Sequence, residues 1–410
     1  MARKNVLLTL GRLPKALEIA RALNTAGCRV IIADPFRFHL CRASRAVAKS
    51  YHVPSPAKDI VAFQNELLSI IKREQIDLVI PISEEAIAVS GIATALPPYT
   101  EILGATGSDL IRVHDKLTFI ETSKSARLNV PQTYRADTLE ASTLAEQVKT
   151  ISKPRFGCSG GGICFHKPGE PISKDRLSSE FIIQERMSGR EISSLSFCRS
   201  GHIEQTVLYR GLAFAGTVAT AFRRLDGAHD VRRWIANFVA NENYSGFIAF
   251  DFIIDDDGAV WPLECNPRLT SGIHFFEQRS LAASILNHSQ PIAFKANRTF
   301  QEGHTTLALA YSQIFKRREF LRRLRIILGS RDVLWTPGDR LPFILMTPMS
   351  IEILLGVLFK GETFGQAATQ DIAWTPAPRH KWITRAGSPA DEQHSETEER
   401  PKTYATALES

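Results

Sequence analysis

Short apolar runs and segments of helical period alternate along the first hundred residues. "KNVLLTLG" reads as a buried strand. "PKALEIARALNTAG" reads as an amphipathic helix from near Pro14, where proline suits the first turn, to Gly27. "CRVIIADP" and "IDLVIPIS" are further strands, with the helical "IVAFQNELLSIIKRE" between them. Strand and helix in turn predict a parallel sheet, so this part is α/β. No GxGxxG follows the first strand, so a dinucleotide site is not expected there.

The pattern then changes. "SDLIRVHDKLTFIETSKSAR" predicts one helix capped by Ser108. "VPQTY" and "TISKPRF" read as strands around the helical "TLEASTLAEQVK". Strands dominate from Phe181 to about Arg210. The helix "DVRRWIANFVANE" then leads into two strands, "FIAFDFII" and "VWPLECN", joined by the turn "DDDGA". Beyond about Arg298 a basic segment, "FKRREFLRRLRIILGSR", is followed by an apolar one of helical spacing. The last stretch is polar and rich in Pro, Ser and Glu, a composition that predicts disorder. These changes divide the chain into an N-terminal α/β domain (1–106), an α+β domain (107–298), a C-terminal helical or mixed region (299–375) and a tail (376–410).

Composition narrows the function. The 410 residues suffice for several packed subdomains. Six cysteines without a CxxC pair read as reduced thiols, which points to the cytoplasm. No apolar run reaches transmembrane length, and the N-terminal run is too short for a signal peptide. The net charge of +7 fits nucleic acid, a membrane surface or an anionic small molecule. Nucleic acid is not expected, because no basic stripe is interleaved with aromatics in the motif region.

Three segments carry candidate chemistry. "KPRFGCSGGGICF" sets Gly157, Gly160, Gly161 and Gly162 between two β-type segments, with Lys153 at the end of the first. Such a loop can bring backbone N–H groups to phosphate oxygens; an ordinary hairpin is the plainer reading. "FIIQERMSGREIS" ends a strand in Gln184 and Glu185, with Glu191 beyond a turn, and a solvated turn is again the plainer reading. The strongest set is Asp251, Glu264 and Asn266. Alternation along a strand puts Glu264 and Asn266 on one face, and Asp251 lies on the neighbouring strand. Converging oxygen donors suit Mg²⁺, which keeps few protein ligands. A satisfied buried carboxylate paired with Arg268 is the alternative for Glu264.

Lys116 in "HDKLTF", Lys153 with its glycine loop, "QERMSGRE" and "FDFIIDDDGAVWPLECNPR", in that order, resemble the ATP-grasp superfamily. The likeness covers about residues 1–290, and its nearest branches are the carbamoyl-phosphate-synthase-like and amino-acid-ligase ones. It implies a pre-ATP-grasp domain followed by an ATP-grasp domain, with ATP and Mg²⁺ or Mn²⁺ as cofactors. It further implies that Lys116, Lys153, Gly160, Gly161 and Gly162 meet the phosphates. Gln184 and the backbone of Glu185 and Met187 hold adenine, and Glu191 the ribose. Asp251, Glu264 and Asn266 take the metal. Arg268 stabilises the transferred phosphoryl group or the acyl phosphate.

The activity implied is ligation of a small carboxylate to an amine through an acyl phosphate, with release of ADP and phosphate. Carbamoyl-phosphate-type chemistry on bicarbonate and a non-catalytic nucleotide-binding role are the alternatives. Thr270, Ser271, Gly272 and His274 follow Arg268 as candidate substrate residues. Arg223 and Arg224, expected on a loop, could grip a carboxylate or lie on a solvated surface. The region 299–375 is a candidate cap or homodimer interface. Its basic stretch (Lys316, Arg317, Arg318, Arg322, Arg323, Arg325) suits an anionic substrate, a carrier, a membrane surface or plain solvent.

Overall fold

The computed structural model describes residues 3–157, 162–215, 218–287, 291–311, 317–360 and 364–372. Gly160, Gly161, Lys316 and the 376–410 tail lie outside the described residues.

The first domain runs β1 (Asn5–Leu8), α1 (Pro14–Thr25), β2 (Arg29–Asp34), β3 (Lys49–His52), α2 (Ile60–Glu74), β4 (Leu78–Ile80), α3 (Ala86–Ser90) and β5 (Glu101–Ile102). The five strands form a parallel sheet in the order β3-β2-β1-β4-β5. Alternation assigns the two faces. Val6, Leu8, Val30, Ile32, Leu78 and Ile80 pack with α1, while Leu7, Ile31, Ala33 and Val79 pack with α2. A sheet buried on both faces is why these strands read as continuous apolar runs.

The helix expected from Ser108 is two helices, α4 (Gly107–His114) and α5 (Lys116–Ser125). Thr106 precedes the first without a side-chain cap. Asp115 is extended and caps the second, accepting from the Leu117 N–H (3.1 Å) and the Thr118 hydroxyl (3.0 Å). Its carboxylate also pairs with Arg155 across the next sheet. The break places Lys116 at the first turn of α5, buried and beside the glycine loop.

That next sheet, order β6-β9-β7-β8, follows with β6 (Thr133–Arg135), α6 (Leu139–Gln147), β7 (Thr150–Pro154), β8 (Cys164–His166) and β9 (Phe181–Glu185). The large sheet uses β10 (Arg190–Arg199), β11 (His202–Ala215), β12 (Val218–Leu225), β13 (Gly246–Ile254) and β14 (Val260–Asn266), with α7 (His229–Asn241) before β13. Phe119 of α5 and Trp234 and Phe238 of α7 cover one of its faces through Ile248, Phe250 and Phe252. The opposite face, carrying Leu195, Phe197, Val207, Phe247 and Ala249, joins the core of the first domain through Ile273 and Phe275.

The remainder comprises α8 (Gln278–Ile285), β15 (Thr299–Gln301), α9 (Gly303–Tyr311), α10 (Arg317–Gly329), β16 (Arg331–Asp332), α11 (Leu341–Ile344), α12 (Met346–Met349), α13 (Ile351–Lys360) and α14 (Phe364–Thr369). β15 pairs with β12, and β16 extends the large sheet to seven strands. No helix among the described residues is long and apolar enough to cross a membrane.

Candidate active site

Strand register builds the site. β14, β13, β10, β11 and β12 align Glu264, Asp251, Ser193, Tyr209 and Arg224 in one row, so their side chains share a face. Within that row Ser193 Oγ donates to Asp251 Oδ1 at 2.6 Å. Asn266, two residues beyond Glu264, donates from Nδ2 to Asp251 Oδ2 and Glu264 Oε1, both at 3.3 Å.

Two lysines approach from the ends of other elements. Lys116 Nζ donates to the Gly157 carbonyl (3.0 Å) and sits 3.6 Å from Glu264 Oε2. Lys153, buried at the end of β7, donates from Nζ to the Leu263 carbonyl (2.8 Å). The described edges of the glycine loop, Gly157 (φ 129°) and Gly162 (φ 73°), both occupy the left-handed half of backbone space. At Gly162 a Cβ would also meet the Pro154 ring at 2.9 Å.

Charge follows from this crowding. Burial, then the neighbouring Glu264 charge, pushes the Asp251 carboxyl up to about 7. Burial would raise Glu264 too, but Lys116 and Lys153 outweigh it, so Glu264 is lowered. Burial brings the Lys153 ammonium down to about 8, against the pull of Glu264. Two adjacent carboxylates therefore share their cations unevenly, and one more cation would suit them.

Among the described residues no group of three or more His, Cys, Asp and Glu side chains is placed to hold a metal ion alone. Two carboxylates and an amide fit Mg²⁺, which completes its octahedron with phosphate and water. Asn266 presents its nitrogen to the carboxylates, because its Oδ1 accepts from Arg268 Nη2 (2.9 Å). Ligation by that oxygen would give up the arginine bond.

Arg268 is fixed from the first domain. Its Nε donates to Glu84 Oε1 at 2.5 Å. Glu84 follows β4, at the carboxyl end of the parallel sheet, where α/β proteins open their crevices. It is buried, with His114 Nε2 3.3 Å from its other oxygen. Burial alone would raise this carboxyl; Arg268 and His114 hold it far below the usual carboxylate range. Next to it Glu85 accepts from the Ile82 and Ser83 N–H groups (2.7 and 3.0 Å), which shapes the loop that carries Glu84.

The small sheet offers an adenine-type edge. Gln184 is fully buried; its Nε2 donates to Thr133 Oγ1 at 2.9 Å, and its Oε1 has no partner among the described residues. Thr150 Oγ1 on adjacent β7 is likewise buried without one. Such orphans are rare in a finished core and fit a ligand edge. Glu185 ends β9, Met187 is half-buried, and Glu191 is exposed at the second position of β10.

The substrate candidates scatter. Gly272 packs so tightly that a Cβ would meet Leu195 at 2.6 Å. His274 is buried, donates from Nδ1 to Glu18 Oε2 of α1 at 3.0 Å, and is stacked on Phe222. Ser271, half-buried, opens the short helical turn Ser271–Phe275, and Thr270 accepts from the Tyr209 hydroxyl at 3.1 Å. Arg223 and Arg224 are on β12, not a loop. Arg223 is exposed; Arg224 lies over the Phe294 ring and donates to the Lys295 carbonyl (3.2 Å). Sequence reasoning missed Ser193, Glu84 and His114. The run "PISEEAIA" after a buried strand was the available signal for Glu84.

Residues 113–272 match the family model described as the ATP-grasp domain. They are an ATP-grasp domain. Solved structures share the fold. One is N5-carboxyaminoimidazole synthetase from Staphylococcus aureus complexed with ADP: 18% identity, TM-score 0.56, covering 72% of this chain and 80% of that one. Another is L-amino acid ligase from Bacillus licheniformis: 14% identity, TM-score 0.52, covering 72% and 73%. Pyruvate carboxylase T882A from Rhizobium etli aligns at 15% identity and TM-score 0.57 over 71% of this chain. The chain spans 29% of that carboxylase. No curated protein sequence matches this chain. The ATP-grasp domain and its parallel-sheet partner meet at Glu84 and Arg268, so the candidate site belongs to both.

Proposed function

We propose that this protein is an ATP-dependent carboxylate–amine ligase that proceeds through an acyl phosphate and releases ADP and phosphate. The observation that carries the reading is the convergence of Asp251, Glu264, Lys116 and Lys153 beside an arginine anchored in the neighbouring domain. Phosphoryl transfer is mostly positioning and charge neutralisation, and this set provides both.

In this reading Lys116 and Lys153 hold the phosphates under the glycine loop, Gly160 and Gly161 included. Gln184, with the backbone of Glu185 and Met187, orients adenine, and Glu191 meets the ribose. Asp251, Glu264 and Asn266 would hold Mg²⁺, which supplies Lewis-acid neutralisation of phosphate charge when bound. Arg268 stabilises charge on the transferred group. A substrate carboxylate oxygen attacks the γ-phosphorus, the bond to the bridging oxygen breaks, and ADP departs. An amine then attacks the acyl carbon and expels phosphate. Ser271, Gly272, His274, Arg223 and Arg224 remain candidates for shaping the acceptor end of the site.

The test is ADP release with a panel of carboxylates, bicarbonate included, with hydroxylamine in place of the amine. Hydroxamate should form in step with ADP and vanish in Arg268→Ala. Substrate-dependent AMP and pyrophosphate would refute γ-phosphoryl transfer. ATP binding without turnover on any carboxylate would favour the non-catalytic role.

A further inference from the structure

The C-terminal region sorts its charges by direction. Among its described residues the carboxylates turn inward. Asp339 accepts from Arg21 (2.9 Å) and Ser44 (2.6 Å) of the first domain, and Asp371 from Arg12 (2.7 Å). Glu352 accepts the Phe38 N–H (3.0 Å), Asp332 those of Gly303 and Leu334 (both 2.7 Å), and Glu302 is half-buried. The remaining one, Glu319, pairs with Arg322 of its own helix. Five arginines turn outward: Arg318, Arg322, Arg325, Arg331 and Arg340 are exposed, while Arg323 is half-buried.

Large apolar side chains share that exposure. On α13, Ile351, Leu355, Leu358 and Phe359 recur at helical spacing and form one stripe, with Leu358 76% and Phe359 82% exposed. On α10, Leu321 and the 79%-exposed Leu328 fall on the same face as Arg318, Arg322 and Arg325. Trp335 is exposed with Arg340 over its ring (5.6 Å). One exposed leucine is ordinary; repeated stripes interleaved with arginine are not.

The two chemistries together select the occupant. Nucleic acid would meet the arginines and leave the leucines in water. A second copy docked through the same face would bring further arginines against these, with Glu319 as the one outward carboxylate among the described residues of this region. An anionic bilayer meets both, phosphates for the guanidiniums and acyl chains for the stripes. No described helix can cross a membrane, so the contact lies in the interface plane. We propose that the C-terminal region docks this protein on an anionic membrane surface through α10, α13 and the Trp335 corner. The proposal is independent of the catalytic reading.

The experiment is co-sedimentation of the full chain with vesicles of phosphatidylcholine and phosphatidylglycerol in equal parts, beside vesicles of phosphatidylcholine alone. Binding is expected to the first and not the second. Arg318→Glu with Arg322→Glu and Arg325→Glu should weaken it about a hundred-fold. Leu358→Asp with Phe359→Asp should weaken it at least about ten-fold. Circular dichroism and melting temperature check that the variants fold. Should they not, Trp335 emission, taken as wild type minus Trp335→Phe, should shift to the blue on adding anionic vesicles. Absence of binding to anionic vesicles, or binding that neither folded variant alters, overturns the proposal. So does a dimer in sedimentation velocity that Leu358→Asp with Phe359→Asp dissolves while the wild type ignores vesicles.

Discussion

Two groups of buried carboxylates behave in opposite ways. Asp251 and Glu264 lie in register on adjacent strands, and the cations near them do not suffice for both: Glu264 is lowered, but Asp251 is pushed up to about 7. Glu84 and Glu18 are more deeply buried, yet both are held far below the carboxylate range. Glu84 has Arg268 and His114; Glu18 accepts from Lys295 (2.7 Å) and Gln278 (2.8 Å) beside His274. Burial raises all four, and the two most deeply buried are nonetheless lowered, so the difference lies in the partners. Where protein cations fully answer a buried charge, the charge joins domains. Where they fall short, room remains for a cation from outside.

The sharpest way to break this contrast is Glu264→Gln. It keeps the shape and removes one of two crowded charges. Turnover measured as ADP release should fall at least about 10³-fold, roughly 4 kcal/mol of barrier. The melting temperature should fall only modestly, because Lys116 and Lys153 lose the carboxylate they answer while the like-charge pair with Asp251 is relieved. Turnover within ten-fold of wild type would make Glu264 a structural residue and erase the distinction.

The same change at Glu18 should do the reverse. Glu18→Gln leaves Lys295 and His274 facing an amide in a buried place. Stability should drop about 3 kcal/mol in urea unfolding, as expected for a broken buried pair. Turnover of the folded fraction at low temperature should stay within about two-fold, since Glu18 touches no candidate site residue other than His274. A large loss of turnover would move His274 from packing into chemistry.

Glu84 falls between the two. It touches no reacting group, but it aims Arg268. Glu84→Gln should lower kcat about 10- to 100-fold, the cost of misplacing one group by about an ångström, and change the KM for ATP little. Glu84→Asp, a carboxylate one methylene shorter, should recover only part of that. Equal losses in kcat and in ATP affinity would mean that Glu84 supports the fold rather than the arginine.

How much of this was legible depended on whether a signal was local. Asp251, Glu264 and Asn266 could be placed because strand period is two and a short acidic turn joins the strands. Helices α1 and α2 and their strands followed from apolar period alone. The break at Asp115 was not legible, because its stabilising partner, Arg155, is 40 residues away. Glu84 was hidden for the same reason: its value comes from Arg268, 184 residues on. Arg223 and Arg224 carry charge enough to imitate a loop, but β15 covers the edge of their strand. In the C-terminal region period predicted helices, and only the three-dimensional sorting of charge showed which way they face.

The smallest expected effect is a change of slope with pH, and Asp251 gives it the opposite sign from Glu84 and Glu18. Glu84 and Glu18 have folded-state values below the ordinary value of about 4.3. The unfolded chain then binds more protons there, so their contribution is complete above about pH 4.3 and is lost as the pH falls. Asp251 has a folded value near 7 against an unfolded value of about 3.9. Between those limits the folded protein binds the extra proton, and stability from this site declines as the pH rises toward 7. Full proton uptake at one site corresponds to about 1.4 kcal/mol per pH unit, and partial uptake to less. In metal-free buffer, urea unfolding from pH 4.5 to 7 should therefore show a falling contribution in wild type that Asp251→Asn removes. Mg²⁺ binds better to the ionised pair, so saturating Mg²⁺ should flatten the same slope without any mutation. Glu84→Gln should leave that window alone and soften only the acid limb below about pH 4.3. A wild-type profile that Asp251→Asn does not change would mean that Asp251 is already ionised and matched, and the two groups would then be one kind.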